Sequence, residues 1–323
     1  MATAKAPEDI GGEIAGVSAD AEAASPNPVR RRRAKRGEKR LFPYLALAPA
    51  TLLVVVLMLV PIGDTVMHSF TNWDGITSNF IGLRNFSLII QNPITSEILL
   101  NSVFFLVSVP LILIASLLAA VLVYEKVPGW RVFRFLFFIP NVLSPAIVGA
   151  LFSTFFLPRG AADQALQAIG LGSFAWLSHP WTARLVVVLA LVWTSFGFGM
   201  VVILSAMTTI DPALYEAAAI DGASWWRRLW SITIPMVTGS LQFLSVINVI
   251  YTFTSLFSFV YVITAGGPGF ATTTIDYYTY LTTFENGQFG YGAALAVMLF
   301  LIVLLLTIAQ IKLFPRREVQ QGA

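Results

Sequence analysis

The sequence predicts an all-α, polytopic membrane protein with six transmembrane helices and both chain ends on the cytoplasmic side (N-in/C-in). Three observations carry that prediction. Of the 323 residues, 57% are hydrophobic and 11% charged, against about 45–50% apolar and about 25% charged in a soluble domain, so lipid has to solvate much of the surface. Six apolar stretches reach the roughly 20 residues that cross a hydrocarbon layer of about 30 Å at about 1.5 Å per residue. With both ends inside, 17 of the 20 Lys and Arg residues fall on cytoplasmic segments and only Arg84, Arg159 and Arg184 fall outside. That is a strong positive-inside bias.

Residues 1–40 come first. To about residue 29 they are rich in Ala, Gly, Ser, Pro and acids with no apolar period, which predicts a disordered cytoplasmic tail. The basic block 30–40 abuts the first apolar run and reads as a topogenic anchor on membrane lipid, with no nucleic acid expected as a partner. The run 41–66 exceeds a signal-peptide core of about 7–15 residues, and its Ala46-Leu47-Ala48 lies at the start of the run, where cleavage needs it after. A retained span is expected, opening a membrane domain over 41–314. The other stretches are 98–124, 132–157, 184–210, 237–264 and 291–312. Pro49, Pro61, Pro110, Pro140 and Pro145 fall within these runs and predict kinks, which neighbouring helices make tolerable. Residues 315–323 read as a cytoplasmic tail.

What the chain lacks narrows its chemistry. It has no cysteine and two histidines, His68 and His179, which removes disulfides, thiolate metal sites and cysteine nucleophiles and leaves no paired-ligand spacing. No catalytic residue and no metal site are expected. None of the five lysines sits in a GxxxxGK[ST] loop, so if ATP is used, another polypeptide binds it. No ionisable residue falls in the centre of any apolar stretch, where proton relays and ion coupling place theirs. This weighs against an ion-coupled secondary carrier for a neutral solute. A non-transporting membrane scaffold is the other rival.

The long internal loop, 208–236, carries the sharpest signal. Asp211 as N-cap and Pro212 at the first helical position start a helix that Ala217, Ala218 and Ala219 favour. Gly222 permits a turn, Ser224 caps a second short helix, and Pro235 marks the return towards the membrane. A narrow alanine face flanked by Glu216 and Asp221 suits docking into a partner's cleft. Trp225, Trp226 and Trp230 with Arg227 and Arg228 equally suit an interfacial helix.

Taken together, Glu216-Ala217-Ala218, then Gly222 four residues on, then Ile234-Pro235, resemble the EAA loop of permease subunits of bacterial ABC importers. The resemblance implies that this loop inserts into a groove on an ATP-binding subunit, with Glu216, Ala217, Ala218 and Gly222 as the docking core and Asp221 and Ala223 beside them. It extends to Ser69-Phe70-Thr71-Asn72-Trp73-Asp74-Gly75, Ile81-Gly82-Leu83-Arg84-Asn85-Phe86, Asn101-Ser102, Arg131-Val132-Phe133-Arg134, Phe138-Ile139-Pro140 and Gly266-Gly267-Pro268. These are similar to binding-protein-dependent sugar permeases, nearest the maltose and glycerol-phosphate type first subunit. The implied partners are a second permease subunit in a heterodimer, two ATP-binding subunits and an extracytoplasmic substrate-binding protein. ATP and Mg would sit on the partner ATPase, this chain binding no cofactor, in a bacterial plasma membrane. For a neutral polyhydroxylated solute the pathway candidates are Asn141, Trp193, Asn248, Tyr251 and Ser255. The last three recur at spacings of three and four, one helical face. Polar glue between helices is the other reading of the same residues.

Overall fold

The computed structural model describes residues 38–313. The tail and basic block up to residue 37, and the tail 315–323, lie outside the described residues. By contact density the chain divides into two units, 1–55 and 56–323. The described residues are helical apart from loops and one isolated bridge, Thr71 to Phe80, which matches the all-α expectation. Pro43–His68, Pro93–Tyr124, Pro180–Met207 and Phe289–Leu313 are each long and apolar enough to cross a membrane. Two bent pairs join them, Trp130–Val142 with Pro145–Phe155 and Trp225–Met236 with Thr238–Thr254. The described residues thus hold four spans, or up to six if each bent pair counts as one.

The prolines act more locally than simple kinks. A proline offers no N–H to the carbonyl four residues earlier, and its ring crowds that carbonyl. Pro61 follows the π turn Val55–Leu59, Pro235 the π turn Leu229–Thr233, and Pro110 the 3₁₀ turn Phe105–Val107. Each rewound turn contains the affected carbonyl, that of Leu57, Ser231 or Leu106, so the defect is absorbed by changing the hydrogen-bond register. Pro145 does something else. It pushes Ser144 out of the helical region to φ −66°, ψ 146°, and Ser144 then caps a new helix through Ile147 N at 3.4 Å. The two halves of the 132–157 stretch consequently meet at 102° rather than running straight.

The 237–264 stretch is also interrupted. Thr238–Thr254 ends at Ser255, whose φ of −121° and ψ of −4° leave the helix, and Leu256–Ile263 begins afresh.

Packing is tightest between Ser108–Tyr124 and Pro180–Met207. A Cβ added at Gly199 would lie 2.2 Å from Ser116 Oγ, and one at Gly197 would lie 2.2 Å from Phe137 O. Without hydrophobic drive between helices in lipid, such small residues let backbones approach and gain van der Waals contact. The Ser116 hydroxyl uses that proximity to donate to Phe196 O at 3.0 Å. Beneath it Ala119, Ala120, Met200, Ile203 and Leu244 form a buried apolar cluster. Gly199→Val should therefore lower the melting temperature of the purified protein by roughly 2–8 °C, overpacking costing about 1–3 kcal/mol. Gly239→Ala, where nothing lies within 4 Å, should leave it unchanged in the same thermal assay.

Candidate functional site

The 208–236 loop folds as local chemistry dictates. Asp211 Oδ1 accepts from Ala213 N at 2.9 Å and starts the helix Pro212–Ile220. At its far end Ala223 N donates to Ala218 O at 2.8 Å and Gly222 N to Ala219 O at 3.1 Å. This paired closure needs a left-handed residue, supplied by Gly222 at φ +71°. Ser224 Oγ then accepts from Arg227 N at 3.4 Å and caps the next helix. The outcome is a tight helix–turn–helix hairpin. Glu216, Ala217, Asp221 and Gly222 are exposed on it, while Ala218 and Ala223 are half-buried. Ile220, absent from the expected docking set, is 87% exposed at the turn.

The hairpin is braced from behind. Trp225 Nε1 donates to Glu125 Oε1 at 2.5 Å, and the Tyr215 hydroxyl pairs with Thr233 Oγ1 at 3.0 Å. Tyr124 leans on Tyr215 with centroids 6.1 Å apart. Between them lies a cavity of about 310 Å³ lined in part by Tyr124, Glu125, Glu216 and Arg228. Trp225 is thereby half-buried, which departs from a purely interfacial role for all three tryptophans. Glu125 stands 100 residues from its partner, beyond the reach of any local pattern.

The candidate pathway residues fall into two groups. Asn141 Nδ2 donates to Thr194 O at 3.4 Å, beside Trp193, whose ring lies 5.7 Å from Phe152. On the fifth stretch Asn248 is buried and gives its amide to Leu244 O at 2.8 Å, within its own helix. Tyr251 is half-buried on the same helix, and Ser255 sits in the break. The single face expected for Asn248, Tyr251 and Ser255 thus ends one residue early.

That break is held by a residue the sequence reading did not single out. Asp276 Oδ2 accepts from Phe257 N at 2.7 Å, and its Oδ1 accepts from Tyr277 N at 2.9 Å and from the Thr274 hydroxyl. One carboxylate therefore joins the start of Leu256–Ile263 to the start of Ile275–Tyr280. Burial pushes its carboxyl above the usual range against the pull of these bonds. No ionisable residue lies inside the stretch by sequence, yet the 264–274 loop folds one back against residue 257.

Outside the apolar stretches, Asp163 organises the 158–176 segment. It is fully buried and accepts from Phe174 N at 2.8 Å, Arg159 N at 2.9 Å, Ser173 Oγ at 2.9 Å and Gln167 Nε2 at 3.1 Å. These bonds, the two from the backbone foremost, hold its carboxyl below the usual range.

Residues 86–319 match the family described as the binding-protein-dependent transport system inner membrane component. The chain is 34% identical over 274 residues to the lactose transport system permease protein LacF of Rhizobium radiobacter, covering 83% of this chain and 92% of that protein. It is 32% identical over 284 residues to the sn-glycerol-3-phosphate transport system permease protein UgpA of Agrobacterium fabrum, covering 86% and 96%. Its fold is similar to a chain of the bacterial alginate ABC transporter solved in complex with alginate pentasaccharide-bound periplasmic protein. There the TM-score is 0.78 at 22% identity, over 88% of this chain and 98% of that one.

A depressed carboxyl stabilises the folded form above the unfolded value near pH 4 and loses that contribution as pH falls through the folded value. Asp163→Asn should thus make the Phe174 and Arg159 amides exchange hydrogen at least tenfold faster at pH 7. The gap to the unmodified protein should shrink below about pH 4.

Proposed function

Because this chain belongs to the family of binding-protein-dependent transport system inner membrane components, we propose that it is the membrane-spanning permease subunit of an ATP-driven sugar importer. It forms half of a translocation pathway across a bacterial plasma membrane, completed by a second permease subunit. Two ATP-binding subunits sit on the cytoplasmic side and hydrolyse ATP with Mg, and an extracytoplasmic substrate-binding protein delivers the solute. This subunit itself is not an enzyme. The lactose relative supports a carbohydrate as cargo.

The observation that carries the reading is the rigid, exposed hairpin at 211–228. Its Glu216, Ala217, Asp221 and Gly222 are open to a partner, and Ala218 and Ala223 close the turn behind them. We read Trp130–Val142 with Pro145–Phe155 as the third of six spans and Thr238–Thr254 with Leu256–Ile263 as the fifth, with both chain ends inside, because that arrangement puts the hairpin on the side where 17 of 20 Lys and Arg residues lie. Closure of the ATPases pulls on the hairpin. The brace from Trp225 to Glu125 carries the pull into the second span. The spans then exchange inward-open and outward-open arrangements in a rigid-body motion on the μs–ms scale. Asn141, Trp193, Asn248, Tyr251 and Ser255 remain the proposed pathway set. Among them Tyr251 and Ser255, beside the helix break, are best placed to meet a solute, since broken spans put polar backbone at a binding site.

Two measurements test this. Glu216→Lys and Gly222→Trp, made in the chain co-expressed with its partner subunits, should each lower ATPase co-purification and sugar uptake at least tenfold while membrane insertion is unchanged. Uptake undiminished in both variants contradicts the coupling role. In vesicles holding ATP, collapse of the proton gradient should leave uptake within a factor of two, whereas prompt loss identifies an ion-coupled carrier.

A further inference from the structure

The two arms of the 211–236 hairpin carry opposite charge. Residues 211–221 hold Asp211, Glu216 and Asp221 and no Lys or Arg, whereas residues 222–236 hold Arg227 and Arg228 and no acid. A partner patch of one sign cannot complement both arms. The acidic arm is the one that the proposed ATPase contact uses, so the basic arm has a different counterpart.

The basic arm sorts its side chains by face. Leu229 and Thr233 are buried, and Trp225 is held inward by Glu125 Oε1. Arg228 is half-buried and lines the cavity that Glu125 and Glu216 also line. On the other face Trp226 and Trp230 stand 62% and 65% exposed, with Arg227 and Ser231 exposed beside them. Positions four apart are neighbours on a helix, so the two indoles form one stripe bordered by a cation. Amphipathic rings beside a basic side chain are the composition that settles at a membrane–water interface.

Orientation agrees with composition. The arm Trp225–Met236 meets Thr238–Thr254 at 68°. A span tilts on average about 20° from the bilayer normal, so this arm runs nearer the membrane plane than the normal. Only Val237 separates it from the span, which keeps it at the depth where the chain enters the bilayer. Lys126, Arg131 and Arg134 are exposed on the loop whose Glu125 holds Trp225, so the surrounding rim is basic too. An anionic inner-leaflet surface complements such a rim.

We propose that the arm Trp225–Met236 lies on the inner leaflet and binds anionic phospholipid, with Trp226 and Trp230 seated among the headgroups and Arg227 facing their phosphates. The hairpin is then held between two surfaces, an ATPase on its acidic arm and the membrane on its basic one. The proposal takes its cytoplasmic side from the importer reading.

The chain has no cysteine, so a single introduced cysteine gives a single spin-label site. The assembled complex is placed in phosphatidylcholine nanodiscs with or without about 30% phosphatidylglycerol, labelled at Ser231→Cys on the basic arm or Ile220→Cys at the turn. Oxygen, which concentrates in lipid, and a water-soluble nickel chelate report depth by their collisions with the label. The oxygen-to-nickel collision ratio should be at least threefold higher at 231 than at 220, and phosphatidylglycerol should raise it at least twofold further at 231. Arg227→Gln should abolish that rise and Arg227→Lys should retain it. Equal ratios at the two positions, or a rise unchanged in Arg227→Gln, overturns the proposal. A label at 231 that the ATPase subunits shield from both agents puts protein on this arm and overturns it too. ATP-driven uptake by the unmodified complex is scored separately: its absence fails the importer reading, whereas the collision ratios decide the lipid contact with or without transport.

Discussion

Backbone polar groups have no water to turn to inside a bilayer, so every interruption of a helix must bring its own hydrogen-bond partner. This constraint shapes each functional feature of the chain. Ser144 supplies the partner where Pro145 forces a corner. Asp276 supplies it where the fifth stretch breaks at Ser255. At Pro61, Pro110 and Pro235 the helix instead changes its winding around the carbonyl that lost its donor. The breaks are thus fixed points, each defined by a named side chain or rewound turn, and a rigid body can pivot about them without exposing unpaired backbone to lipid.

Force transmission needs the opposite property, stretches that do not yield. The hairpin closes on itself through Ala223 N to Ala218 O, and Trp225 and Tyr215 fasten it to Glu125 and Thr233. Glu125 follows directly on the helix that ends at Tyr124, which in turn lies against Pro180–Met207 at the Gly199 and Ser116 contact. An interior this closely packed transmits displacement because it cannot be compressed. From Trp225 to Phe196 the line of contacts thus runs through side chains that already have partners.

Much of this was legible because its causes are local. Asp211, Pro212, Gly222 and Ser224 act within four residues, so the hairpin and its caps could be read from the sequence, and the apolar stretches could be found from length alone. The corner at Pro145 was readable in principle, since a Ser-Pro pair favours a cap over a kink. The rest depends on distant partners. Nothing near Ser255 announces a break whose stabilising carboxylate comes at position 276 after a loop, and nothing near Trp225 announces Glu125. Ile220 was overlooked for a different reason. An apolar residue reads as buried by default, and only the geometry of the turn places it outside.

The polar residues of the spans show why polarity alone is a weak guide to a solute path. Asn248, Thr252, Thr254 and Thr264 each donate to the carbonyl four residues earlier in the chain. A side chain that bonds back to its own helix is satisfied in lipid without any ligand, so its presence says nothing about what passes by. A residue that can serve a solute must combine reach into open space with bonding capacity not spent on its helix. Ser255 stands at a break where the helix stops consuming such groups.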